Sequence, residues 1–171
     1  MNSLAAGYTA NPAPWFTKLN VEAQFGRKLD VDADRVGRSA HLLGEFNLRA
    51  PLGRWALESE QRLEHTRIAA PDGRRALADT ALQWLAVLHL DARDSLRAIW
   101  QGTRFVRYGS GEALQPEDSR GRVASLVAMR RFGVGRSASI GLSRQSERPA
   151  PGAPRTRERE LFAKVSVEFG P

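Results

Sequence analysis

The feature that most constrains the fold is an alternation of apolar and polar side chains with a period of two, recurring along the chain. In 160–169, Leu161, Val165 and Val167 fall on one side of the pattern, whereas Glu160 and Lys164 fall on the other. Successive side chains of a β-strand point to opposite faces, so this pattern predicts strands. Helical periodicity is poor, and we therefore predict an all-β protein.

Eight segments carry this alternation. They lie at about 19–32, 38–50, 54–68, 79–91, 95–108, 122–132, 136–146 and 160–169. The segments are longer than the five or six residues usual in soluble sheets, but they match the roughly 9–11 residues that cross a bilayer at a tilt. We expect residues 1–16 to be an N-terminal extension or linker and residues 17–169 to form one β-barrel domain.

The connections between these segments alternate in length. Short turns are predicted at 50–53, 91–94 and 133–135, and longer polar loops at 69–75, 109–121 and 147–156. Only the first connection, 33–37, is shorter than this scheme requires. Short turns at one rim and long loops at the other are typical of outer-membrane barrels. The prediction is an antiparallel up-and-down transmembrane β-barrel of about eight strands, or the C-terminal eight strands of a larger barrel, in the bacterial outer membrane.

The polar face carries acids and bases in similar numbers, which suits the interior of a small membrane barrel, where an ion needs a partner. We predict a lumen charge network of Glu45, Arg49, Glu58, Glu60, Arg62, Arg97, Lys164 and Glu168. A soluble barrel would alternate equally well with its apolar face inward. The alternative function is therefore a soluble, lipocalin-like barrel that binds a small apolar ligand.

Composition excludes several classes. The chain has no cysteine, and its three histidines show no metal-ligand spacing, so we expect no metal and no cofactor. The net charge of +7 is spread along the whole length, which argues against a nucleic-acid partner. No apolar run approaches the roughly 18 residues of a spanning helix. The first residues lack the features of a secretory signal, so an exported protein would be a mature or partial piece.

Two weak pairs of catalytic candidates are present. Ser39 and His41 share a face near the long-loop rim, and His89 and Asp91 share a face near a short turn. A serine–histidine site needs an orienting third group, which the pattern does not supply. A barrel-embedded hydrolase is thus the third hypothesis, behind a non-enzymatic membrane anchor or narrow pore.

Arginines cluster at the last long loop. They are Arg148, Arg155, Arg157 and Arg159. Guanidinium groups bind phosphates well, so we predict contact with outer-membrane lipid and the phosphates of lipopolysaccharide. Arg27 and Arg104, on the apolar face, are expected in the outer half of their strands, where they can reach anionic head groups.

The segment Lys164-Val-Ser-Val-Glu-Phe169 resembles the C-terminal strand of outer-membrane proteins, although Gly170 and Pro171 follow the aromatic residue that usually ends it. The resemblance implies that Val165, Val167 and Phe169 form a membrane insertion signal recognised by the barrel-assembly machinery. The stretches 94–101 and 160–169 are also similar to barrels that follow family-9-like carbohydrate-binding modules in larger bacterial proteins. That similarity implies the C-terminal barrel portion of such a protein.

Overall fold

The computed structural model of the chain describes residues 3–30, 34–109 and 116–167, which form nine β-strands and no helix. The strands are β1 (Ser3–Ala10), β2 (Phe16–Asp30), β3 (Arg35–Leu52), β4 (Trp55–Ala69), β5 (Arg75–His89), β6 (Asp94–Arg107), β7 (Glu117–Gly133), β8 (Arg136–Arg148) and β9 (Thr156–Val167). Within these residues, no helix is long and apolar enough to cross a membrane.

All nine strands belong to one antiparallel sheet in which each strand pairs with its neighbours in sequence. The all-β, up-and-down prediction is confirmed. The connections 11–15, 53–54, 90–93 and 134–135 share one edge, which we call the turn rim. The connections 31–34, 70–74, 108–116 and 149–155 share the other, which we call the loop rim. The first and last strands of the order, β1 and β9, run in the same direction.

The strands differ from their predicted extents mainly at the loop rim. β1 is a ninth strand inside the segment expected to be an extension, and it pairs with β2 from Ser3↔Gly26 to Ala10↔Leu19. β5 begins at Arg75 rather than 79, and β7 begins at Glu117 rather than 122. In β7 the added residues continue the ladder to β6, and Asp118 forms ion pairs there with Arg104 and Arg120. The loops are therefore shorter than polarity alone predicted.

Two of the described connections contain only two residues, and in one of them Leu52 pairs with Trp55 around Gly53 and Arg54. Gly53 has a φ of 66°, a left-handed conformation that glycine adopts without the steric cost paid by other residues. Glycine at this position therefore suits the tight turn that joins β3 to β4.

An ion pair between strands that are not neighbours shows that the sheet curls. Arg107 Nη1, at the end of β6, lies 3.5 Å from Asp30 Oδ1, at the end of β2. Four strand spacings of about 4.8 Å would separate β2 from β6 by about 19 Å in a flat sheet, farther than the two side chains can reach together. The face that carries Asp30 and Arg107 is therefore concave, and the opposite face is convex.

Few side chains are buried, and most of those lie near the loop rim. Asp30, Ile68 and Arg107 are buried on the concave face, and Ala70 and Ala76 are buried at the same rim. No large side chain among the described residues is fully buried. A soluble domain of this size normally has a much larger apolar core. Most large apolar side chains of this sheet must therefore lie outside a core.

Candidate functional site

The convex face carries the exposed apolar side chains of the strands, whereas Leu85, Val87 and Ile99 lie on the concave face. Leu161 is 68% exposed, Leu142 60%, Leu126 52% and Phe25 54%. We call this surface the apolar band; its exposed members on β2 to β9 include Val21, Phe25, Leu42, Phe46, Leu82, Trp84, Leu126, Ile140, Leu142, Leu161 and Val165. Contiguous apolar surface of this extent marks contact with a partner or a membrane.

The polar residues that interrupt the band on β4 are bonded to one another. Trp84 Nε1 donates a hydrogen bond of 2.8 Å to Ser59 Oγ, and Gln61 Nε2 donates one of 2.6 Å to the same oxygen. Ser59 is only 6% exposed as a result. Because these polar groups are partnered within the sheet, the exposed surface at this point is mainly the Trp84 ring.

Arginines border the apolar band on its loop-rim side. The cross-strand register places ten of them on the convex face; we call them the arginine row: Arg27, Arg38, Arg67, Arg104, Arg120, Arg122, Arg144, Arg148, Arg157 and Arg159. Five of these ten were singled out from the sequence. Arg148, Arg157 and Arg159 were predicted to contact phosphates, and Arg27 and Arg104 were expected to reach anionic head groups. The fourth predicted phosphate contact, Arg155, precedes β9 and is not in the row. The other members could have been found from the alternation, because on each strand they occupy the same face as the apolar residues.

The border between the arginine row and the apolar band crosses the hydrogen-bonded rows obliquely. The row of paired residues that contains Leu19 in β2 reaches Arg144 in β8 and Arg159 in β9. On β2 itself the bordering arginine is Arg27, eight residues closer to the loop rim than Leu19.

The border therefore shifts by about eight residues along the strands over about seven steps from strand to strand. At about 3.3 Å per residue and about 4.8 Å per step, it is inclined by about 38° to the hydrogen-bonded rows. Strands of β-barrels are inclined by about 35–45° to the barrel axis. For strands tilted in this way, the border is a level line around the convex face.

The concave face holds two groups of ion pairs nearer the turn rim. In the first, Glu45 lies 2.7 Å from Lys18 Nζ and 3.5 Å from Arg62, which also lies 3.5 Å from Glu64. Lys18, Glu45 and Arg62 line a cavity of about 260 Å³ together with Glu60. Lys18 and Glu64 were not in the predicted network, although their position in the alternation places them on this face.

In the second group, Glu58 lies 3.5 Å from Arg49 and 3.5 Å from His89 Nε2. Of the other predicted members, Glu60, Arg97 and Lys164 form no ion pair within the described residues. Glu168 lies outside the described residues. The structure therefore brings Glu45, Arg49, Glu58 and Arg62 into pairs, but in two separate groups rather than one network.

Ser39 and His41 lie apart from carboxylates that could complete a catalytic site. Ser39 and His41 line a cavity of about 330 Å³ on the concave face, and His41 Nδ1 lies 3.0 Å from Thr66 Oγ1. No described carboxylate lines that cavity. His65 lies on the convex face, where its Nδ1 is 2.8 Å from Thr80 Oγ1.

His89 and Asp91 do not form a pair with each other. His89 faces Glu58, while Asp91 accepts hydrogen bonds from the backbone N–H groups of Arg93 (2.6 Å) and Asp94 (2.7 Å). These bonds hold the pKa of Asp91 below its ordinary value, chiefly through the one from Arg93. Asp91 is thus a turn residue in this structure.

The residues assigned to membrane insertion and lipid contact lie on one surface. Val165 and Val167 are exposed on the convex face of β9; Phe169 lies outside the described residues. Arg148, Arg157 and Arg159 lie on the same face at the loop-rim side, with Arg155 just before β9. In the described part of the chain, no three His, Asp or Glu side chains come together as metal ligands would.

Comparison with protein-family models, with curated proteins and with solved structures gave no match. The case for a function therefore depends on the two faces of the sheet.

Proposed function

We propose that the nine strands form the wall, or part of the wall, of a transmembrane β-barrel in the bacterial outer membrane, acting as an anchor or narrow pore without catalysis. The observation that carries the proposal is the direction of the curl. The apolar band lies on the convex face and is exposed, whereas the ion pairs Asp30–Arg107 and Lys18–Glu45 lie on the concave face. A lipid-facing barrel has this arrangement.

The alternative, a soluble barrel that binds an apolar ligand, requires the opposite arrangement. Its apolar side chains would line the concave face and its charges would face water. Here the concave cavities at Lys18–Glu45 and at Ser39–His41 are lined mostly by polar side chains. The curl of the sheet therefore favours the membrane barrel over the ligand-binding one.

Strand length and border geometry support the same proposal. β2 to β9 contain 12–18 residues each, enough for the roughly 9–11 residues that cross the hydrocarbon layer. Strands tilted by about 38° would hold the arginine row level with a membrane surface. Closing the sheet directly would pair β1 with β9 in parallel, whereas in a larger barrel further strands would lie between them; the proposal includes both forms.

The interior supports an anchor or narrow pore rather than a wide channel. The Asp30–Arg107 pair spans the concave side at the loop rim, with Arg35 Nε 3.9 Å from Asp30. Barrels of about eight strands have interiors just wide enough for their own side chains. The function proposed is therefore membrane anchoring, with only small solutes able to pass through the barrel.

Refolding tests the proposal. The chain is diluted from urea into buffer with or without a mild detergent and examined by far-ultraviolet circular dichroism and by gels of boiled and unboiled samples. We expect β-type dichroism and heat-dependent gel mobility in detergent only. Cooperative folding to a monodisperse species in plain buffer would contradict the proposal and favour the soluble barrel.

A further inference from the structure

Four pairs of arginines in the arginine row lie directly opposite each other on neighbouring strands. The pairs are Arg27↔Arg38, Arg104↔Arg120, Arg120↔Arg148 and Arg144↔Arg159. Like charges placed directly opposite each other destabilise a sheet. Such pairs therefore require an anion or a strong compensating interaction.

Arg120 belongs to two of these pairs, and its anion lies within the sheet. Asp118 accepts hydrogen bonds from both Arg104 and Arg120, with Nη2–Oδ2 distances of 3.0 and 2.9 Å. The other two pairs, Arg27–Arg38 and Arg144–Arg159, have no carboxylate partner within the described residues. The Asp118 arrangement thus shows what the other two pairs lack.

Each pair without a carboxylate borders a groove that is partly apolar. Arg144 and Arg159 line a shallow groove of about 650 Å³ together with Leu126, Leu142 and Leu161; Glu160 also lines it but forms no ion pair with either arginine within the described residues. The three leucines occupy the next row of the convex face toward the turn rim.

A second groove, of about 540 Å³, is lined by Arg38, Arg67 and Arg75 beside Phe25 and Ala40. Arg27 does not line this groove, but it lies directly opposite Arg38 at its border and also lines the cavity of Ser39 and His41. Both grooves have guanidinium groups on the loop-rim side and apolar surface on the turn-rim side. A phosphorylated lipid, with its charged head group and apolar chains, has the matching polarity.

We propose that Arg144–Arg159 and Arg27–Arg38 each bind a phosphate monoester of lipid A, the glycolipid anchor of lipopolysaccharide, with its acyl chains along the apolar band. This inference rests on the proposed membrane location. A phosphate monoester carries a charge of about −1.5 to −2 at neutral pH, which matches two guanidinium groups, whereas a phosphodiester head group carries one charge. Arginine also binds phosphate through paired hydrogen bonds.

The test uses the full chain refolded in detergent and native mass spectrometry to count bound lipid A. The variants are R144Q/R159Q and R27Q/R38Q. The matched control is R131Q/R136Q, which removes two exposed arginines at the turn rim that have no ion pair within the described residues. We expect each loop-rim variant to weaken lipid A binding about tenfold or more, and the control to leave it unchanged.

Parallel titrations identify the chemistry of the ligand. Dephosphorylated lipid A and phosphatidylglycerol should bind weakly, and millimolar inorganic phosphate should not displace lipid A. R144K/R159K, which keeps the charge but loses the paired hydrogen bonds, should bind with intermediate affinity and serves if a glutamine variant does not fold.

Equal lipid A binding by the loop-rim variants and the control would overturn the inference, as would equal binding of phosphatidylglycerol or full displacement by inorganic phosphate. Heat-dependent gel mobility is measured on every sample. A chain that shows this mobility but ignores lipid A contradicts the inference alone, whereas a chain that folds without detergent contradicts the proposed function itself.

Discussion

Asp30 of β2 and Arg107 of β6 form a buried ion pair, with Oδ1 and Nη1 3.5 Å apart and side chains only 3% and 9% exposed. The pair crosses the concave face over three intervening strands. Among the described residues, this contact shows most directly that the face carrying Asp30 and Arg107 is the inner, concave one.

Removing the Asp30 charge should destabilise the fold strongly. Removing one partner of a buried ion pair is strongly destabilising, so we expect Asp30→Asn to lower the free energy of unfolding by about 3 kcal/mol. Asp72→Asn is the control, because the Asp72–Arg74 contact of 3.8 Å is exposed and should contribute under about 1 kcal/mol. Urea unfolding of the detergent-refolded variants measures both. Equal losses of unfolding free energy in the two variants would mean that the Asp30–Arg107 pair does not stabilise the curvature of the sheet.

This pair also marks the limit of what the sequence could predict. The period-two alternation located eight of the nine strands, since each face of a strand takes one kind of side chain. β1 was missed because Ser3–Ala10 consists largely of small residues, with only Leu4 and Tyr8 as large apolar side chains. The Asp30–Arg107 contact could not be predicted, because it depends on the curvature of five strands rather than on any local pattern.

The arginine row was predictable only in fragments. Arg148, Arg157 and Arg159 were recognised as a cluster because they are close in sequence. Arg38 and Arg144 were not, because the border they belong to moves along the strands from β2 to β9 and becomes a line only when the register is known. Likewise, alternation put His89 and Asp91 on one face, but Asp91 forms turn hydrogen bonds that the pattern does not specify.

Phe162, the apolar exception on the polar face of β9, covers Gly141 directly opposite it on β8. A Cβ at Gly141 would lie 2.5 Å from Phe162 Cζ and 3.0 Å from Leu126 O. We expect Gly141→Ala to destabilise the fold by about 1–3 kcal/mol through overpacking. Adding Phe162→Leu should recover part of the loss in a double-mutant cycle.

Gly7→Ala provides the comparison for this prediction, since its Cβ would meet nothing closer than Val21 O at 3.7 Å. Its effect on the unfolding free energy should be small. A Gly141→Ala variant as stable as Gly7→Ala would show that Phe162 moves aside without cost.

Adjacent residues on β7 distinguish the two faces. Leu126 lies in the middle of the apolar band, and Ser125 points to the concave face. In a bilayer, Leu126→Arg should cost about 2–4 kcal/mol, the penalty for arginine at the midplane, and Ser125→Arg should cost much less. Urea titrations of the protein in lipid vesicles give both values. A larger loss for Ser125→Arg would place the concave face in lipid.

Asp91 should give the turn at 90–93 a pH dependence. Its pKa in the folded state is lowered, chiefly by the hydrogen bond from the Arg93 backbone, so its ionised form stabilises the fold above the unfolded value of about 3.9. That stability is lost as the pH falls below 3.9 and through the lowered folded pKa. Asp91→Asn should therefore be less stable than the unaltered protein at neutral pH and approach it in strong acid. A difference independent of pH would contradict this role.

Tryptophan fluorescence tests the central claim, that the apolar band faces hydrocarbon. Trp84 lies within the band and is 42% exposed, and Trp55 lies at the turn rim. Single-tryptophan variants that keep one or the other are refolded into vesicles whose lipids carry bromine at a deep or a shallow position of the acyl chain. The account predicts that deep bromine quenches Trp84, that shallow bromine quenches Trp55, and that aqueous iodide leaves Trp84 unaffected. Quenching of Trp84 by iodide, with no effect of bromine at either depth, would contradict it.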